Sequence, residues 1–237
     1  MSRIDLLYQD KDALVVNKPA GVLTIPDRFG TKGVSMFEEL SARYGKVLPV
    51  HRLDYETSGV LLFARNDEFH AAMNDLFMSG NIVKLYWAIC LAPKESEGTI
   101  DAPIRESQSV RGTYEIHPDG KPALSEYRVL EELGRYALVE IRILTGRTHQ
   151  VRVHMQHIHA PLFVDAKYGM QKAFYLSEFK RYRHKEGRKE RPLLSRTSLH
   201  ARFMSFELPD SGKSFKFEAP LPKDFKASLQ QLRKVFS

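Results

Sequence analysis

Apolar positions follow two different spacings along this chain, and the spacing changes several times. Ala13-Leu14-Val15-Val16 is a short unbroken apolar run, followed by Asn17-Lys18-Pro19-Ala20-Gly21. This predicts a strand stopped by a turn, because proline has no amide to donate and glycine supplies unusual backbone angles. Positions 35–44 carry helical spacing. Gly59-Val60-Leu61-Leu62-Phe63-Ala64-Arg65 is too short and too apolar to be anything but a buried strand. Asn66-Asp67 then caps a helix running to about Met78, with Phe69, Met73, Leu76 and Phe77 on its inner face and Gly80 as its stop.

Strand-like runs follow at 82–92, 99–104 and 126–131. Gly134-Arg135 between the last of these and the run 136–144 predicts a hairpin. A threonine-led helix is expected from Thr148 to about His157, ending before Pro161, and strands return at 197–208 and 213–218. Strands outnumber helices, and sequential strands joined by short turns favour an α+β fold with an antiparallel or mixed sheet.

Composition adds limits rather than a function. The 237 residues, 43% hydrophobic and 27% charged, suit a globular protein with a real core and exclude a disordered or fibrous chain. No apolar stretch approaches the roughly 18–20 residues of a membrane span, and Met1-Ser2-Arg3-Ile4-Asp5 lacks a signal peptide's apolar block. No membrane is therefore expected, and the expected compartment is the cytoplasm. The lone Cys90, in an apolar run, allows neither an internal disulfide nor a cysteine-based zinc site and reads as a small buried hydrophobe. The formal net charge is +7. Much of it sits in 179–191, where seven Lys/Arg against two Glu (7 − 2 = +5) mark an exposed loop or insertion. No internal repeat or dividing linker is visible, so 1–237 is expected to be one domain.

Two polar clusters can carry chemistry. His51-Arg52-Leu53-Asp54-Tyr55-Glu56-Thr57-Ser58-Gly59 precedes the buried strand, so it delivers a carboxylate, an arginine, a histidine and hydroxyls to a sheet edge. Thr145-Gly146-Arg147-Thr148-His149-Gln150-Val151-Arg152-Val153-His154 is the second. With a helix starting near Thr148, His149 and Arg152 share a face while Val151, Met155 and Ile158 face the core. The glycine before the helix leaves amides for an anion such as phosphate. Histidines 149, 154, 157 and 159 suggest a metal, but no pair has the i, i+4 spacing of a zinc helix with a glutamate between, and no metal is expected.

The stretch His51-Arg52-Leu53-Asp54 with Thr57-Ser58-Gly59 resembles the signature of the RluA-type pseudouridine synthases, whose aspartate is catalytic. Asn17-Lys18-Pro19-Ala20-Gly21, Lys84-Leu85-Tyr86 and the 145–154 block arrive in that family's order. Leu199-His200-Ala201 and Phe217-Glu218-Ala219-Pro220-Leu221-Pro222 are similar to its closing strands. The resemblance spans roughly residues 6–225. It implies a mixed, largely antiparallel sheet in two halves flanked by helices, with a catalytic cleft between the halves. It also implies an isomerase needing no cofactor, acting on a uridine in a structured stem-loop of ribosomal or transfer RNA.

By the same resemblance, Asp54 is the catalytic carboxylate, acting as nucleophile or as base. Arg152 pairs with it, and Tyr86 stacks on the uracil. Arg52 fills the space left by a flipped base. Arg147, Lys18 and Arg105 are expected phosphate contacts. Lys180, Arg181, Arg183, Arg188 and Lys189 are expected to grip the RNA backbone without sequence preference. The chain starts almost at its core, so no N-terminal domain like that of ribosomal protein S4 is expected, and a monomer is. The alternatives are a non-catalytic RNA-binding module of the same fold and a metal-dependent hydrolase using the histidines.

Overall fold

The computed structural model describes residues 4–27, 33–178, 190–209 and 211–236. It divides into two compact units, residues 1–86 with 200–220 and residues 87–199 with 221–237.

In the first unit, β1 (Leu6–Gln9), β2 (Ala13–Lys18), β4 (Ser58–Ala64) and β11 (Leu199–Glu207) lie in that order, with β3 (Leu48–Pro49) on β4 and β12 (Ser214–Glu218) on β11. β1–β2, β2–β4, β3–β4 and β11–β12 pair antiparallel, whereas β4 pairs with β11 in parallel, His200 lying opposite Ser58 and Ala201 opposite Gly59. Every residue of β4 is buried, as its unbroken apolar run requires. Gly59 is obligatory at that pairing: its φ is 121°, and a Cβ would lie 2.1 Å from the Ala201 carbonyl oxygen.

Helix α1 (Met36–Tyr44) begins at a capping box in which Ser35 accepts from the Glu38 amide and Glu38 accepts from the Ser35 amide. Helix α2 (Asp67–Ser79) begins where expected, with Asn66 Oδ1 accepting from Phe69 N–H at 2.8 Å, and ends on Gly80 in the left-handed region. Its Phe69, Met73 and Leu76 pack on Val15, Val60, Leu62, Phe206, Phe215 and Phe217, with Phe77 at the margin. On the other face of the sheet, Leu14, Val16, Leu61 and Phe63 pack on Met36 and Leu40 of α1 and on Leu53 and Tyr86. Burying one such side chain fully is worth roughly 1.5–3 kcal/mol, so both faces contribute substantially.

Strand β5 (Ile82–Leu91) carries the chain into the second unit, where its later part borders β10 (Tyr136–Ile143), then β9 (Leu124–Leu133) and β6 (Glu97–Asp101). The β9–β10 hairpin turns at Gly134, φ 63°, as the sequence predicts. Cys90 is fully buried. The expected strand 99–104 is instead split at Ala102-Pro103, since Pro103 cannot continue the ladder, and Ile104 opens a separate hairpin of β7 (Ile104–Glu106) and β8 (Tyr114–Ile116). Helix α3 (Gln150–His157) starts two residues later than expected, and its cap is His149 at φ 57°, not Thr148. Helix α4 (Lys223–Phe236) has no counterpart among the expected elements; it buries Phe225, Leu229 and Leu232 against Tyr136, Leu138 and Phe163.

Candidate active site

The segment 51–54 alternates inward and outward, which decides what each residue can do. His51 points in: its Nε2 accepts from Leu62 N–H at 3.0 Å, so the ring proton is on Nδ1, and it stacks on Phe77 with centroids 5.3 Å apart. Burial first, and then the neighbouring Lys84 charge, push its pKa down to about 3, so it is a neutral structural group at neutral pH rather than a base. Arg52 is exposed. Leu53 is buried, and its amide donates to Thr24 Oγ1 (3.1 Å) while its carbonyl accepts from the same hydroxyl (3.0 Å).

Asp54 follows, half-buried, at the start of a turn closed by Thr57 N–H on the Asp54 carbonyl at 3.1 Å. The next carbonyl, of Tyr55, accepts from Gly21 N–H at 2.8 Å and from Lys18 Nζ at 3.3 Å. Lys18 also donates to the carbonyls of Pro19 (2.9 Å) and Val22 (2.7 Å) and has no exposed area. The expected phosphate contact at Lys18 is therefore corrected. Its ammonium is enclosed and donates to these carbonyls, which ties the turn after β2 to the Asp54 loop.

Tyr86 packs on the same core cluster as Leu53, the chain neighbour of Asp54. Burial, and then the Asp54 charge, raise the Tyr86 pKa well above the ordinary phenol value, so its hydroxyl keeps its proton. Lys84, two residues earlier on β5, is buried with its ammonium 5.4 Å from the Phe77 ring centre, and burial lowers its pKa. Below the loop, His200 Nε2 donates to the Ala219 carbonyl (3.2 Å), which leaves Nδ1 to accept from the Ser58 hydroxyl at 2.9 Å. This fixes β4 to β11 directly beneath the turn.

Arg152 belongs to the second unit and is nearly enclosed, its side chain 5% exposed. Its Nε and Nη2 donate to the two carboxylate oxygens of Asp165 at 2.6 and 2.8 Å, a bidentate fork. Asp165 Oδ1 also accepts from the amides of Lys167 (2.9 Å) and Tyr168 (3.2 Å), and the Tyr168 ring centre lies 4.9 Å from the guanidinium carbon. Neither Asp165 nor Tyr168 is among the candidate residues of the sequence reading. The only local signal is an aspartate three residues before the tyrosine in a loop, which is common in turns without function.

Two expected RNA contacts, Arg105 and Arg147, line one cleft of about 410 Å³ with Tyr114, Lys121 and Thr148. Arg105 is bound to Glu115 across the β7–β8 hairpin at 2.9–3.0 Å, and Arg147 Nε donates to the Pro122 carbonyl at 2.9 Å. The expectation of amides left for an anion is corrected at Arg147, whose N–H donates to Gln150 Oε1 at 3.0 Å. Lys180, Arg181, Arg183, Arg188 and Lys189 lie outside the described residues. The segment's flanks meet where Ser177 donates through its amide and hydroxyl to Glu190.

Of the four clustered histidines, His154 is fully buried with Nδ1 2.9 Å from Ser125 Oγ and Nε2 3.0 Å from the Ala102 carbonyl, and burial lowers its pKa. Among the described residues no three His, Cys, Asp or Glu side chains converge as metal ligands, and no helix is long and apolar enough to cross a membrane.

Comparison with known proteins bears on this arrangement of a half-buried carboxylate beside a protonated phenol. Residues 12–157 match the family model described as RNA pseudouridylate synthase. Over 98% of its length the chain is 35% identical to the uncharacterized RNA pseudouridine synthase YlyB of Bacillus subtilis, covering 73% of that protein. Over 97% it is 34% identical to the ribosomal large subunit pseudouridine synthase D of Pseudomonas aeruginosa, covering 72%. Among solved structures, human RNA Pseudouridylate Synthase Domain Containing 4 aligns with 97% of this chain and 93% of its own, with a TM-score of 0.74 and 27% identity. The chain belongs to the RNA pseudouridylate synthase family, of the RluA type: it is an isomerase that converts uridine to pseudouridine in RNA.

Proposed function

We propose that this enzyme isomerises one uridine displayed in a structured stem-loop, with ribosomal RNA favoured over transfer RNA because several relatives are named for the large ribosomal subunit. The observation that carries the reading is that Asp54 follows directly on Leu53, which shares a core cluster with Tyr86, so that an acidic group and a stacking surface belong to one half-buried site. The reaction breaks the bond between uracil N1 and ribose C1′ and forms one between C5 and C1′. C5 loses its proton and N1 gains one, so atoms balance without a redox partner.

Asp54 is the catalytic carboxylate in this reading, attacking the sugar as a nucleophile or removing a proton from it. Tyr86 supports the uracil face, and its protonated hydroxyl is a donor rather than an anion. Arg152 completes the catalytic set. A base inside folded RNA must leave the stack, at a cost of a few kcal/mol. Arg52, exposed beside Asp54, fills the gap with its planar guanidinium. Arg105 and Arg147 contact the RNA backbone from their cleft, and the basic segment 180–191 adds a salt-dependent grip. The enzyme works as a cytoplasmic monomer.

The test is to map pseudouridines by carbodiimide-dependent primer extension across total RNA from cells with and without the gene. One site should be lost in the deletion and restored by the wild-type gene but not by Asp54→Asn. An unchanged map would contradict the proposal.

A further inference from the structure

The β7–β8 hairpin and the catalytic arginine meet at a single side chain, Tyr168. Its ring, buried at 5% exposure, packs beside the Arg152 guanidinium. Its hydroxyl accepts from the backbone N–H of Tyr114 on β8 at 2.7 Å and lies 2.7 Å from His149 Nδ1. The rings of Tyr114 and His149 meet edge-on at 5.3 Å, and those of His149 and Tyr168 at 5.4 Å. Three segments are thus knitted together: the hairpin, the lead into α3 and the loop that holds Arg152.

Two features separate this cluster from ordinary packing. His149 holds φ 57°, ψ 18°, a conformation that costs a non-glycine residue energy and persists only where its surroundings impose it. No side chain caps α3 from that position, so helix capping does not account for the strain. The hairpin is also fastened by the same loop at a second point, since Lys167 Nζ donates to the Gly112 carbonyl at 2.5 Å. Lys167 and Tyr168 in turn both donate their amides to the Asp165 oxygen that receives Arg152 Nη2. The links that run through Tyr168 are hydrogen bonds and ring contacts of buried or half-buried groups, and the Lys167 tether lies at the exposed margin.

Tyr114 and Arg105 of this hairpin line the cleft that also holds Lys121 and Arg147. A strand of RNA lying there bears on the same backbone that Tyr168 grips. Resting on the function proposed above, we propose that Tyr168 is a positioning residue. Its hydroxyl sets the orientation of Arg152 according to the seating of the hairpin, so that a substrate filling the cleft raises the rate of isomerisation and not only the affinity. A displacement of about 1 Å at a reacting group can cost on the order of a hundredfold, so a loss of roughly tenfold is expected when one such tether is cut.

Tyr168→Phe keeps the ring and removes both hydroxyl contacts. The probe is a 5-tritiated transcript spanning the uridine identified by the mapping, and the readout is tritium release in single turnover at saturating enzyme. The proposal expects the maximal rate to fall about tenfold, with RNA Kd within twofold of wild type and a thermal midpoint lowered by only about 2–4 °C, far above the assay temperature. In an Arg152→Lys background the same substitution should cost little more, because the residue acts through the arginine. An undiminished rate in Tyr168→Phe, a loss confined to Kd, or a full tenfold penalty in the Arg152→Lys background would each overturn it. Asp54→Asn is run alongside: its turnover of the transcript would remove the underlying reading, whereas an inert Asp54→Asn beside an unaffected Tyr168→Phe would remove this inference alone.

Discussion

Asp54 and Arg152, the acidic and basic groups on which the proposed chemistry turns, are positioned by opposite means. The Asp54 loop is fixed through its neighbours: Leu53 bonds Thr24 with both its amide and its carbonyl, Tyr55 accepts from Gly21 and Lys18, and Thr57 closes the turn on a backbone oxygen. Arg152 is fixed through its own charged atoms, by a fork onto Asp165. The bonds of the first arrangement run through backbone and neighbouring side chains, so they do not pass through the carboxylate itself. The second makes the functional head and the structural anchor the same atoms, so any change there is felt twice.

That contrast is broken or sharpened most strongly at Arg152. Arg152→Ala leaves the Asp165 carboxylate, with no side-chain exposure, without its guanidinium. The expected loss is about 3–5 kcal/mol of stability, the cost of stranding a buried charge. Urea unfolding at pH 7 measures it, and a wild-type midpoint would mean that Asp165 does not depend on the arginine. Lys18→Met comes next. It keeps the buried stem but leaves the Pro19 and Val22 carbonyls without their ammonium donor, for an expected loss of about 1–3 kcal/mol in the same measurement.

A further expected effect is a pH slope from His51. Its folded pKa of about 3 lies below the ordinary 6.5, so the unfolded chain takes up a proton that the folded protein refuses. His51 therefore contributes fully above pH 6.5, and that contribution is lost as pH falls from 6.5 towards 3, at up to about 1.4 kcal/mol per pH unit. His51→Gln should lack this component. Equal slopes in wild type and variant over pH 4–6.5 would show that the ring does not stay neutral.

What could be read from the sequence was local, and what could not was distant. Asn66 and Gly80 marked the ends of α2 because a side-chain cap and a left-handed stop act within one turn of helix. Gly134 marked the β9–β10 hairpin for the same reason. Lys18 was misread because lysine is usually solvated and one of its acceptors, the Tyr55 carbonyl, lies 37 residues away. Thr148 was expected to lead α3, yet the Gln150 side chain takes the Arg147 amide and the Thr145 hydroxyl and sets the start two residues on. Asp165 carried no signal of its own because its partner lies 13 residues earlier, beyond the reach of any local pattern in the loop. Helix α4 did carry a signal in Phe225, Leu229 and Leu232, at spacings of four and three.

The central claim is that the Asp54 carboxylate performs the chemistry while its loop is held by other groups. Tritium release from a 5-tritiated transcript of the mapped site, by Asp54→Asn whose folding is checked by urea unfolding, tests it directly. The account expects no release above background from a variant whose stability lies within about 0.5 kcal/mol of wild type. Release at the wild-type rate, or loss of the fold together with the activity, would contradict it.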